Sequence, residues 1–133
     1  MPQPAAKKGD FVVGVDIHIV MVPAPPAPPI PTPLPHPFFG MIDNGLSSNV
    51  KIMGKPAATV NSTATNKPSH FPMPPGTSFL KSPSNKATIK MGSFRVKING
   101  KQAARMGDMA MTCNDPVDLP TGVVMAVGTV LMG

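Results

Sequence analysis

The chain has 133 residues, enough for one domain with a modest core. Pro and Gly fill 31 positions, which excludes an all-α fold, since both disrupt helix interiors. A 41% apolar content excludes a disordered linker, and twelve basic against six acidic side chains leave a net charge of +6.

All six acids are Asp. A chain without Glu but rich in Val, Ile, Thr, Pro and Gly reads as all-β. Residues 11–22 are apolar but interrupted by Asp16 and His18, and are too short to span a bilayer. No small-residue cleavage site follows them, so the sequence predicts no signal peptide and synthesis in the cytoplasm. Residues 23–37 hold nine prolines in fifteen positions and are expected to form polyproline II, laid along or projecting from the domain. Residues 61–84, rich in Ser, Thr, Asn and Pro, read as a long surface loop. The expected organisation is one domain over 1–133, with insertions at 23–37 and 61–84.

Further strands are expected at 87–91 and 94–98. In the second, Phe94, Val96 and Ile98 alternate with Arg95, Lys97 and Asn99, which predicts one buried and one basic face. Asn99-Gly100 predicts a type I′ hairpin turn, with 102–106 as the returning arm. The run 123–132, bent at Gly128, predicts one or two strands. The segment NVKIMGKPAATVNS (49–62) aligns with RVKINGKQAARMGD (95–108) at an offset of 46, and TVLMG (129–133) echoes the strand part a third time. Three such units suggest pseudo-threefold symmetry around a shared core.

The chemistry-bearing residues are few. His18, His36, His70 and Cys113 are the complete set of histidines and cysteines, and four such donors suit a closed tetrahedral zinc site. Their spacing alone does not distinguish that site from three loop histidines and a buried thiol. Flanking prolines hold His36 extended, and prolines also bracket His70 at positions 68 and 72. Asp16, two residues before His18, is a candidate hydrogen-bond partner for an imidazole. Cys113 has no second cysteine for a disulfide, so a structural metal would supply the missing staple. The P-loop, dinucleotide-binding, nucleophile-elbow and H-E-x-x-H patterns are absent, and the six Asp form no evident acid pair. These features predict no catalytic or organic-cofactor residues and no enzyme activity. Lys51, Lys90, Arg95, Lys97 and Lys101 fall in or beside strands. A solvated face is the simplest reading, an acidic protein partner the next. A nucleic-acid-binding β-barrel is a third, weakened because Phe38, Phe39 and Phe71 are not interleaved with these cations.

These residues resemble the PAAR-motif family, which caps the central spike of contractile injection machines such as type VI secretion systems, extracellular injection particles and phage tails. NGKQAARMGD (99–108) carries the signature with Gln102 in place of Pro, and MGKPAATVNS (53–62) carries it with Thr59 in place of Arg. KKGDFVVGVDIH and GDMAMTC look like the family's Gly-Asp segments leading to a metal-binding His and Cys. The resemblance implies a small cone of β-hairpins with long Pro-rich loops and structural Zn²⁺ at its apex, held by His18, His36, His70 and Cys113. Imidazole suits iron as well. It also implies a trimeric spike as partner, one chain per trimer, no nucleic acid, effectors as further cargo, and transient contact with a target membrane. The chain would then sit at the tip of the particle after cytoplasmic assembly. The alternative is a cargo adaptor acting through the Pro-rich flank.

Overall fold

A computed structural model describes residues 2–133, and among them there are strands, turns and loops but no α-helix. The strands in chain order are β1 (Gln3–Pro4), β2 (Phe11–Ala24), β3 (Ala27–Asn44), β4 (Lys51–Ile52), β5 (Lys55–Pro56), β6 (Thr63–Asn66) and β7 (Ser78–Phe79). They continue with β8 (Lys86–Ile89), β9 (Lys97–Ile98), β10 (Lys101–Gln102), β11 (Met109–Thr112), β12 (Leu119–Met125) and β13 (Leu131–Met132). Six of them pair antiparallel in the order β12-β11-β8-β6-β3-β2, and β2 pairs back onto β12. The sheet therefore closes on itself, which removes sticky edges. Alternation drives the closure. In β6, β8 and β11, Ala64, Ala87, Ile89 and Ala110 point inward and are fully buried. With mostly alanine inside, the strands approach closely, and Phe38, Ile42, Val12 and Val124 fill what remains.

Three short two-stranded ladders adjoin this sheet, two of them hairpins. β4–β5 turns at Met53-Gly54 and β9–β10 at Asn99-Gly100, and both turns have positive φ at both residues, as a type I′ turn requires. The third pairs β13 with β1, so that Leu131 and Met132 face Pro4 and Gln3 as Lys51 and Ile52 face Pro56 and Lys55. Residues 4–7, Pro-Ala-Ala-Lys, are thus a third copy of the 56–59 and 102–105 segments. The three copies bond in a closed cycle: Ala6 N–H donates to Ala104 O, Ala104 to Ala58 and Ala58 to Ala6, at 2.9, 3.0 and 3.0 Å. After each ring segment Asp10, Ser62 or Asp108 accepts a backbone N–H, from Lys7, Thr59 and Arg105 respectively (3.0, 2.9 and 2.6 Å). Each two-stranded ladder leads through this alanine ring into a strand of the closed sheet, so ladders and sheet lie on opposite sides of the ring.

Two expectations are corrected. Residues 23–37 are not polyproline II; most of them are the first half of β3, paired with β2. Prolines 29, 31, 33, 35 and 37 occupy alternate positions, so their missing N–H groups all fall on the side away from β2. Residues 30, 32, 34 and 36 remain free to donate to β2. The alternation expected from Phe94 begins only at Val96. Ser93 Oγ accepts the N–H groups of Arg95 and Val96 (3.1 and 3.0 Å), bending the chain and leaving Phe94 81% exposed. Two more hold only in part. The returning arm after Asn99-Gly100 is Lys101–Gln102 rather than 102–106, because the chain turns into the alanine ring at Ala103. Residues 61–84 are not all loop, since they contain β7 and β6, whose Ala64 alternates into the core. A strand falls close to 87–91, at Lys86–Ile89, and 123–132 contains the end of β12 and β13, separated at Gly128.

Candidate metal centre

Period-two alternation on β2 puts Asp16 and His18 on the inner face, and the β2–β3 register places His36 directly opposite Asp16. All three are buried. Cys113 follows β11 immediately and is also buried. His70 arrives from the loop after β6, where Asn85 Oδ1 accepts its backbone N–H (2.7 Å) and Asn66 Nδ2 lies 3.3 Å from its Nδ1.

These elements bring His18, His70 and Cys113 together around Asp16, with one donor atom from each of the four within 4.8 Å of the others. Asp16 Oδ2 lies 2.8 Å from His70 Nε2, 3.4 Å from Cys113 Sγ and 4.0 Å from His18 Nε2. Cys113 Sγ is 3.6 Å from His18 Nε2. The other oxygen of Asp16 accepts the Thr112 hydroxyl. His36 stands in the wall of this cluster, its ring centroid 5.4 Å from that of His18 and 5.7 Å from that of His70. Its Nδ1 donates to Leu34 O (2.8 Å) and its Nε2 accepts Met73 N–H (3.2 Å). The sequence thus identified three residues of the group and gave Asp16 only a supporting place. It missed Asn114 and Asp115, whose side chains accept the N–H groups of Ile17 and Ile19 (2.7 and 2.9 Å) and so hold β2 against the Cys113 segment.

The donor set suits a divalent cation. It offers imidazole nitrogen, sulfur and a carboxylate, the ligand types of zinc. Among the described residues, His18 Nδ1 is buried without a hydrogen-bond partner, 3.5 Å from Asp115 Oδ2. Burial pushes His18 and His36 below the ordinary imidazole value, outweighing the carboxylates near His18 and the Leu34 carbonyl at His36. Both rings are therefore neutral near pH 7, the form that ligates. Burial, reinforced by Asp16, pushes the Cys113 thiol up to about 11, so binding a cation there must displace a proton.

A pH prediction follows for metal-free protein. The unfolded chain takes up protons at His18 and His36 below about pH 6.5 while the folded chain resists them there, so stability falls with acid. The unfolded thiol ionises from about pH 9 while the folded thiol holds its proton to about 11, so stability also falls with alkali. Melting temperatures of chelator-treated protein should form a plateau between those limits. A plateau reaching unchanged to about pH 5 would contradict the neutral buried histidines.

The chain is thus a closed β-structure with a three-copy Pro-Ala-Ala-type ring and a buried His/Cys/Asp cluster that could hold a metal ion. The PAAR motif family matches residues 3–119, and the chain belongs to that family. Its members are structural spike-tip components of contractile injection systems rather than enzymes. No curated protein and no solved structure gave a significant match. Among the described residues no helix is long and apolar enough to cross a membrane.

Proposed function

We propose that this chain caps a trimeric spike, one chain to three subunits, and finishes it in a point that concentrates force on a membrane when the machine contracts. The observation that carries this reading is the closed cycle Ala6–Ala104–Ala58, through which one chain offers three equivalent strand pairs to a threefold partner. A trimer ends in strand edges that need covering, and a pseudo-threefold monomer can cover all three. The hairpin side is also the basic side. Lys51, Lys55, Arg95, Lys97 and Lys101 are exposed there, and segments 46–59, 91–103 and 127–133 contain no Asp. The partner surface should therefore be acidic. Mixed with its cognate spike, the protein should give a 1:3 complex by native mass, weakened by salt because exposed charges are screened. A 3:3 complex, or none, overturns the reading.

At the far side of the ring, structural Zn²⁺ would be held by His18, His36, His70 and Cys113, with His36 exchanging Met73 N–H for the metal. Nitrogen and sulfur donors favour zinc, while Asp16 accepts the Thr112 hydroxyl and lies beside His70, placed to orient that imidazole. The metal would tie the 67–85 loop to β2 and to the end of β11. His36→Ala should then lose zinc by elemental analysis, while Asp16→Asn keeps most of it. The opposite result would make Asp16 the fourth ligand. Effector carriage on the flanks fits the same architecture.

A further inference from the structure

The outer face of the β2–β3 hairpin is unlike that of β6 and β8 in the same closed sheet. Odd-numbered residues 11–21 of β2 are all apolar: Phe11, three aliphatic residues at 13, 15 and 17, Ile19 and Met21. They pair in register with Met41, Phe39 and the prolines at 37, 35, 33 and 31. None of these side chains carries a hydrogen-bonding group. Val15 and Phe39 are 51% and 52% exposed. The polar residues Asp16, His18, His36 and Thr32 all belong to the inner face, and the Thr32 hydroxyl donates to Ile30 O. β12 widens the strip near the ring with Val123 and Met125, which pair with Val13 and Phe11.

The fold does not require this. At the positions equivalent to Phe11 and Val13 after the second ring segment stand Thr63 and Thr65, and β8 beside them presents Lys86 and Thr88. The third copy has Met109 and Met111 there, so the repeat itself fixes neither polarity and the flank of β6 and β8 is the polar one. Capping a threefold partner gives no reason for the difference.

The dimensions point to the occupant. Ten residue steps at about 3.3 Å make the strip about 33 Å long, close to the hydrocarbon thickness of a bilayer, about 30 Å. Two strands make it about 10 Å wide, so two copies face to face would bury only about 650 Å², below what a stable dimer needs. The backbone suits an apolar medium as well. β6 pairs with β3 only at Gly40–Asn44, and beyond that stretch the alternating prolines remove the outward N–H groups, the costlier ones to leave unpaired.

We infer that the outer face of β2–β3 is a lipid-contact surface, which lies against the acyl region of a bilayer while the polar cluster stays turned inward. This goes beyond spike capping and does not depend on it. The chain has no Trp or Tyr, so a single introduced Trp reports alone. Zinc-loaded Val15→Trp protein, mixed with neutral phosphatidylcholine vesicles, should show blue-shifted emission quenched by acyl-brominated lipid. Thr65→Trp protein, reporting from the other flank, should show neither. Adding Phe39→Asp to Val15→Trp should weaken partitioning about tenfold or more, the value of burying one aromatic ring, with retained zinc and melting temperature certifying the fold. Neutral lipid offers no attraction for a +6 chain, so a signal abolished by salt would overturn the inference. So would unshifted Val15→Trp emission in excess lipid, or equal quenching at both positions. A 1:3 spike complex formed by a protein that ignores vesicles would leave capping standing and reject the lipid face, including in favour of a protein partner.

Discussion

Cys113→Ala protein should purify without its metal and melt about 10–20 °C below the parent. The thiol is 3% exposed, 3.4 Å from Asp16 Oδ2 and 3.6 Å from His18 Nε2, so its removal leaves a buried carboxylate and imidazoles without the one sulfur donor. Structural zinc contributes about 10–16 kcal/mol of apparent binding energy in small domains, while a whole domain is stable by about 5–15. Losing even about 4 kcal/mol of that moves the melting temperature by this amount in a domain of this size. Damage should be local at first. The 67–85 segment is held at the cluster by His70 and should be cut early by protease. The hairpins turning at Met53-Gly54 and Asn99-Gly100 are held by ring hydrogen bonds on the other side and should be cut later. Chelator should bring the parent protein down to the level of the variant and leave the variant unchanged. If Cys113→Ala keeps both its zinc and its melting temperature, Cys113 is a core thiol and the four-ligand site is wrong.

The contrast between that site and its scaffold shows which features a linear reading reaches. Asn99-Gly100 was legible because a type I′ turn is a two-residue property. The Met53-Gly54 turn was less so, because Met carries a side chain into the left-handed region, and only the repeat shows that the two turns are alike. The third repeat was half legible. TVLMG resembles a strand, but its partner is Gln3–Pro4, at the other end of the chain, and no local pattern links them. The run 23–37 was misread because proline density suggests polyproline II. Its strict alternation from 29 to 37 was a period-two signal, the pattern of a strand with one edge stripped of donors. At the site, residue types were legible because the chain has so few His and Cys. The company of Asp16 and His18 follows from two-residue spacing on one strand. The parts played by Asn114 and Asp115 do not, since they depend on how the segment after Cys113 folds back on β2.

The alanine ring yields the other large expected effect. Ala6, Ala58 and Ala104 are 0%, 0% and 1% exposed, and each lies between backbone groups of the other two copies. A leucine at any of them adds three carbons inside the fully buried core cluster, at a residue whose own N–H and C=O close the ring. Overpacking a well-packed core costs about 1–3 kcal/mol and more where the backbone must shift. Here one displaced amide stretches a closed cycle of three, so a loss of about 3 kcal/mol or more is expected, roughly a 10 °C drop in melting temperature. Thr65→Leu, on the outer face of β6, should stay within about 0.5 kcal/mol of the parent. The informative comparison is among the three ring variants. If residues 3–10 are a full third copy, Ala6→Leu should cost as much as Ala58→Leu and Ala104→Leu to within about 1 kcal/mol, the allowance for context around one kind of interaction. A tolerated Ala6→Leu beside two damaging partners would mean that the first segment merely rests on a two-copy core, and the argument that one chain presents three equal strand pairs to a trimer would lose its basis.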